Sequence, residues 1–290
     1  MGNENQKVKL SGKLKAFVDA GKKDTRVIGA VDRHLLSRPD SSSRRYDVIH
    51  PSSMAKANWC YRAAYFELQG KVSRETKYKR GLRSTLVFSE GHRIHDWWQN
   101  IFNEMGVLYG DWMCPQCDSR ITGISPGSCA SCNKKFLYKE VPVWSKEHNI
   151  EGHSDGILVG FKDPLLLEIK SVGEGTFRWE TPDLLADAGS FQEAWNRLNT
   201  PFSTHIYQAQ IYVKLLELMN AEYQPQEIAF IYEGKHNQEV KEFIIPKSDW
   251  GIPSLFDAAL MIMEHLERGT PPMCPNGGEH GCRQCEGIDE

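Results

Sequence analysis

The sequence predicts an α/β protein, and three observations carry that prediction. Short apolar runs of strand length stand near Val141 to Trp144, Gly156 to Phe161, Leu165 to Val172, Ile228 to Tyr232 and Val240 to Ile245. Longer stretches with apolar residues at every third or fourth position lie before them (Thr85 to Met105), among them (His205 to Leu218) and after them (Ser254 to Arg268), giving the order helix, mixed sheet, helix. With 290 residues, 40% of them hydrophobic, the chain can bury a sizeable core, as one large domain with embellishments or as two smaller ones.

Residues 1–45 are basic and polar, with Ser41-Ser42-Ser43 between charges, and read as a flexible or loosely packed arm. Ser52 and Ser53 cap an expected helix whose stripe Met54, Ala57, Tyr61, Ala64 and Leu68 recurs every three or four residues, with Cys60 on it. The next stretch sets Lys71, Arg74, Lys77, Lys79, Arg80 and Arg83 against the single acid Glu75, with Tyr78 among them. Such a run can track a phosphate backbone or form a solvated helix face. The helix Thr85 to Met105 presents Trp97, Trp98, Ile101 and Phe102 as an apolar face and also carries His92 and His95. Trp59, Trp97, Trp98 and Trp179 could stack on bases, although core packing is the commoner use of such residues. The segment Gly173 to Thr200 yields only a loop and a short helix near Ser190 to Leu198.

The opening Met1-Gly2-Asn3-Glu4-Asn5-Gln6 lacks the apolar core of a secretory signal, and no apolar run reaches a membrane span. A soluble cytoplasmic protein is expected. The net charge of −3 does not announce a nucleic-acid binder, but acidic metal ligands dilute a basic surface. The cytoplasm keeps thiols reduced, which points the eight cysteines toward metal rather than disulfides. Cys114-Pro-Gln-Cys117 and Cys129-Ala-Ser-Cys132 are two CxxC knuckles across a short Gly/Ser/Pro-rich gap, the pattern of a tetrahedral Cys₄ zinc site; a redox pair or iron in the same four sulfurs are the alternatives. Cys60 with Cys274, Cys282 and Cys285 has one distant member and three clustered ones, more like a 4Fe-4S set than a zinc ribbon. A zinc site made by the tail cysteines with His280 is the competing reading.

The run Leu165-Leu166-Leu167-Glu168-Ile169-Lys170 has no stability reason to hold two opposite charges. Strand alternation puts Leu166, Glu168 and Lys170 on one face and Leu165, Leu167 and Ile169 on the other. Asp155 lies upstream in Gly152 to Val159, read as a second strand, with Lys162-Asp163-Pro164 as the turn. Pairing the strands brings two carboxylates together, which a divalent cation would neutralise; oxygen ligands of this kind suit Mg²⁺ or Mn²⁺. Gln208 and Tyr212, four apart, share one helix face.

Taken in order, these residues resemble a RecB-like exonuclease of the PD-(D/E)XK superfamily, in the iron-sulfur branch with CRISPR-associated and phage exonucleases and the AddB nuclease domain. The resemblance is carried by His50-Pro51-Ser52-Ser53 with Cys60-Tyr61-Arg62, by Gly91-His92-Arg93-Ile94-His95 as GxxxH, by Asp155 and Glu168-Ile169-Lys170, by Gln208-Ala209-Gln210-Ile211-Tyr212 as QxxxY, and by Cys274, Cys282 and Cys285. It implies a restriction-endonuclease-like core in which His95, Asp155, Glu168 and the Ile169 carbonyl hold the divalent ion. Lys170 would then assist the attacking water, and Gln208 and Tyr212 would support Lys170 and contact DNA. His92 ranks behind His95, and His153 third.

The expected organisation is an arm (1–45), a helical segment (46–110), a zinc-ribbon insertion foreign to the minimal family pattern (111–137), a nuclease core (138–270) and an iron-sulfur tail (271–290). The function this implies is DNA exonuclease activity in recombination, repair or processing, with DNA and possible recombination or replication proteins as partners. A site-specific endonuclease and a non-catalytic DNA-binding scaffold are the rivals.

Overall fold

A computed structural model describes residues 26–38, 45–71, 81–277, 282, 284 and 285. Arg74, Lys77, Lys79, Arg80 and His280 lie outside the described residues. The chain divides into a smaller unit, residues 1–43 and 74–89, and a larger one, residues 44–73 and 90–290. In the smaller unit the expected loose arm contains a helix, α1 (Arg26–Ser37), because Ile28, Val31 and Leu35 recur at helical spacing. Asp32 Oδ1 there accepts a hydrogen bond from the Leu82 N–H at 2.6 Å.

In the larger unit, the helix expected across Cys60 is broken into α2 (Pro51–Met54) and α3 (Tyr61–Leu68), and Ala57, assigned to the apolar stripe, is exposed. The Asn58 carbonyl accepts from Asn276 Nδ2 at 2.9 Å and from Gln284 Nε2 at 2.8 Å. An unbroken helix would have used that carbonyl internally. Cys60 therefore does not sit within a helix. It is the extended N-cap of α3, its sulfur accepting from the Ala63 N–H at 3.4 Å.

The helix expected from Thr85 is α4 (Leu82–Glu104). Strands β1 (Leu108–Met113), β2 (Arg120–Ile124) and β3 (Leu137–Tyr138) follow, then β4 (Val141–Ser145), β5 (Ile150–Ser154), β6 (Gly156–Leu158) and β7 (Leu165–Val172). The stretch 173–200 holds two helices the sequence reading missed, α5 (Glu174–Glu180) and α6 (Pro182–Ala188), before α7 (Phe191–Arg197). They are too short for a full apolar period, but Pro182 starts α6 and Gly189, at φ 72°, ends it. Helix α8 (Ser203–Leu218), strands β8 (Glu227–Gly234) and β9 (Val240–Pro246), and helix α9 (Ile252–Arg268) complete the order.

The main sheet runs β2-β1-β6-β7-β8-β9, with β3 also on β1; β7 and β8 are parallel and the other pairs antiparallel. Two expectations are corrected here. Residues 141–144 do not join this sheet: β4 pairs with β5 in a separate two-stranded sheet. Nor is 152–159 one strand, because the chain bends at Asp155, leaving β5 on the hairpin and β6 on the main sheet. The stretch 111–137, read as an inserted ribbon, supplies this sheet with the second half of β1, where Trp112 is buried, with β2 and with the start of β3.

Side chains alternate across β7 as predicted. Leu166 faces a core built with Ile157, Ile228 and Phe230 from the sheet and Ile211, Leu215 and Ile262 from α8 and α9. Leu167 and Ile169 face the other way, against Ile94 and Phe102 of α4. The sheet is covered by helices on both faces, so its central strands are mostly apolar, and Glu168 and Lys170 intrude in the middle of β7. Among the described residues no helix is long and apolar enough to cross a membrane.

Candidate active site and cysteine metal sites

Asp155 occupies the switch between two ladders. The last β6–β7 pair is Gly156 with Leu167, so one further step sets Asp155 opposite Glu168. Beyond that pair β7 has lost its strand partner on this edge, and the Ile169 N–H donates instead to Asp155 Oδ2 at 2.6 Å. The second oxygen, Oδ1, lies 3.1 Å from His95 Nδ1, and Gln99 Nε2 donates to the Asp155 carbonyl at 3.1 Å. Helix α4 reaches this close because position 91 is glycine, where a Cβ would stand 3.2 Å from Ser171 Oγ on β7. His92 and His153 are exposed, and among the three histidines weighed for this role only His95 meets the acid.

Glu168 and Lys170 share a face and form an ion pair, Nζ to Oε2 at 2.6 Å, with the Glu168 side chain 1% exposed. The other carboxylate oxygen, Oε1, is buried with no hydrogen-bond partner among the described residues. Burial pushes the Glu168 carboxyl up, and Asp155 adds to this against the pull of Lys170, leaving it at about 7. Burial acts the same way on Asp155, but His95, Lys170 and the Ile169 N–H outweigh it and hold that carboxyl below its ordinary value. For Lys170, burial is outweighed by Glu168 and Asp155, so the ammonium stays charged. His95 is likewise raised, desolvation being overcome by Asp155.

These donors fit a hard divalent ion in chemistry. Adjacent ligands on an octahedral ion with bonds of about 2.1 Å stand about 3 Å apart, close to the 3.1 Å between His95 Nδ1 and Asp155 Oδ1. Glu168 is turned toward Lys170, and His95, Asp155 and Glu168 do not draw within a mutual 4.8 Å, which among the described residues only the two cysteine sets do. The unpartnered Oε1 is the oxygen a cation would satisfy.

Helix α8 closes the site. Gln208 Nε2 donates to Tyr212 Oη at 2.7 Å, and the buried Tyr212 hydroxyl is held well above its usual value by desolvation and then by Glu168. His205, one turn earlier, contacts Tyr232 Oη; burial and then Lys170 hold it well below its usual value, so it stays neutral. Sequence reasoning missed this residue, and it also missed Glu140. Burial, followed by Asp155, lifts the Glu140 carboxyl to about 7. No motif spacing marks either position.

Both cysteine sets assemble. Within the first, Cys117 and Cys129 sulfurs lie 3.6 Å apart and Cys132 and Cys117 sulfurs 3.8 Å apart. A tetrahedral zinc with bonds of about 2.3 Å has edges of about 3.8 Å. In the second, Cys60 and Cys274 sulfurs are 3.7 Å apart, and all four fall within 4.8 Å. Cys114, Cys129 and Cys282 each accept N–H bonds from the residues two and three further on, so Cys282 opens a knuckle built like the other two. Four thiols without hard ligands suit zinc or iron-sulfur. The tight second set has the span of one ion; a four-iron cube, with each thiolate on its own iron, needs a wider one.

Of the basic run, Lys71 places its ammonium 5.4 Å from the Phe66 ring centre and Arg83 is exposed. Trp59 is buried and Trp98 donates its indole N–H to Glu233 at 2.8 Å, whereas Trp97 and Trp179 are exposed.

No family model and no curated relative matches the chain. Among solved structures, SSO0001 aligns over 86% of this chain and 87% of its own, at 12% identity and a TM-score of 0.39. An alkaline exonuclease (LHK-Exo) from Laribacter hongkongensis aligns over 78% of this chain and 90% of its own, also at 12% identity and 0.39. Both likenesses are coarse ones of overall chain path.

Proposed function

We propose that the protein is a divalent-metal-dependent deoxyribonuclease that degrades DNA from its ends. One observation carries this reading: the fully buried Glu168, one oxygen unpartnered and the other on Lys170, stands opposite Asp155 in the heart of an apolar sheet. Apolar side chains there would be the more stable choice, so the charges are retained for another reason. His95, Asp155, Glu168 and the Ile169 carbonyl would hold Mg²⁺ or Mn²⁺. When bound, the ion lowers the pKa of water and offsets charge gathering on the phosphate. Lys170, kept cationic by its acids, orients the attacking water and meets the developing negative charge. Gln208 and Tyr212 brace this end of the site through their mutual bond.

The substrate is linear DNA, and Lys71, Arg74, Lys77, Lys79, Arg80 and Arg83 are the residues we assign to its backbone. Service in recombination, repair or end processing, beside recombination or replication proteins, fits such an activity. With Mn²⁺, the protein is expected to shorten end-labelled linear DNA while sparing covalently closed circles. Glu168→Ala and Lys170→Ala should each abolish cleavage while leaving the chain folded by circular dichroism. Cutting of closed circles would favour an endonuclease; DNA binding without cleavage in the wild type, left intact in both variants, would favour a non-catalytic DNA-binding scaffold.

We assign zinc to the Cys114 set and, following the resemblance, a 4Fe-4S cluster to the Cys60 set. The contracted sulfurs of the latter favour a second outcome, one zinc ion. Iron, sulfide and zinc analysis after anaerobic purification separates them. Neither site takes part in the hydrolysis; both are architectural.

A further inference from the structure

We propose that Glu140 is a further carboxylate ligand of the divalent ion, completing the set formed by His95, Asp155 and Glu168. The inference rests on the nuclease reading above. Its ground is register. In the β4–β5 hairpin Val141 pairs with Ser154, and one step beyond that pair Glu140 stands opposite Asp155. Asp155, one step beyond the β6–β7 ladder, also stands opposite Glu168. The bend at Asp155 thus brings the backbone positions of Glu140, Asp155 and Glu168 together at the ends of two ladders, one step past the last pair of each.

The chain around Glu140 is shaped for that placement. Glu140 has φ 64°, a left-handed conformation uncommon for a non-glycine residue. Two bonds clamp the bend onto β1: the Asp111 N–H donates to the Glu140 carbonyl at 2.9 Å, and the Lys139 N–H to the Asp111 carbonyl at 2.8 Å. The neighbouring Gly110 permits the approach, since a Cβ there would meet the Glu140 carbonyl oxygen at 2.9 Å and the Tyr138 hydroxyl at 2.6 Å. Glu168 contributes a buried oxygen, Oε1, with no hydrogen-bond partner among the described residues, which a cation would satisfy. Three such acids with one histidine and one lysine carry more negative charge than they neutralise, which a divalent cation corrects.

The test is Mn²⁺ uptake by the full chain with its cysteine sites loaded, read as loss of the free-ion signal in electron paramagnetic resonance, for wild type, Glu140→Gln, Glu140→Asp and Glu168→Gln. We expect Glu140→Gln to weaken uptake at least tenfold without lowering the thermal midpoint in the absence of Mn²⁺, and Glu140→Asp to recover part of the affinity. Unchanged affinity in Glu140→Gln overturns this inference alone. So does a loss of affinity accompanied by a lower Mn²⁺-free midpoint and shared equally by Glu140→Asp, which would make the residue structural. No uptake by wild type overturns the nuclease reading and this inference with it.

Discussion

Glu168 shows how a single side chain ties stability to pH. Its carboxyl lies at about 7 in the fold against 4.5 ordinarily. A raised acid contributes stability that is complete below its ordinary value and is lost as pH rises through its folded value. The protein without Mn²⁺ should therefore weaken between about pH 5 and pH 8, by on the order of 2–3 kcal/mol from this residue. Asp155 is lowered instead, so its contribution is present above 3.8 and disappears only in stronger acid, outside that window. Lys170, raised above 10.5, changes only in strong base. Thermal midpoints recorded across this range should fall with rising pH, and Mn²⁺ should reverse the trend by favouring the ionised acids. Glu140 and His95, also raised, act in the same direction, whereas the lowered His205 and His148 act against it, so the test is the Glu168→Gln variant: an unchanged slope there would contradict the assignment of Glu168 as a buried acid.

At the scale of elements, the hairpin and helix α8 meet at Gly152. A Cβ there would lie 2.9 Å from Tyr212 Cε1 and 3.1 Å from the Pro51 ring, and neither ring can swing away freely. Gly152→Ala should cost about 1–3 kcal/mol in urea unfolding and loosen the Gln208–Tyr212 pair, lowering cleavage more than a surface Gly127→Ala, where a Cβ meets open space. The same junction marks how far the sequence could be read. The alternation of β7 was legible because Leu166, Glu168 and Lys170 leave a two-residue period in an apolar strand. The pairing of His95 with Asp155 was reachable only through a motif, since sixty residues separate them. The bend at Asp155 was hidden, because residues 152–159 keep a strand-like composition while the chain changes sheets. Cys60 was misplaced within a helix because helical spacing persists across a break that distant Asn276 and Gln284 impose. Glu140 left no trace, since its role comes from a register set by other strands.

Across the whole molecule, the two cysteine sets would, once metal is bound, close loops of very different length. Cys114 and Cys132 are 18 residues apart in sequence, Cys60 and Cys274 214 apart. Tying the longer loop removes more freedom from the unfolded chain, by about 2 kcal/mol. Cys60→Ser should accordingly lower the thermal midpoint of the full chain more than Cys114→Ser, and should expose the segment after α9 to protease while leaving the ribbon intact. Equal losses in both variants would place the stabilising effect in the local knuckles instead.

The partners of Cys60 are made long after it. At about 5–20 residues per second, a ribosome reaches the 274–285 cysteines roughly 10–40 seconds after it has passed Cys60. Throughout that interval the early sulfur waits without Cys274, Cys282 and Cys285, while the cysteines made next to it in time, Cys114 to Cys132, belong to the other set. A metal held by all four sulfurs could enter only after residue 285 has been made, and a nascent chain stalled in β9 is an unfastened protein.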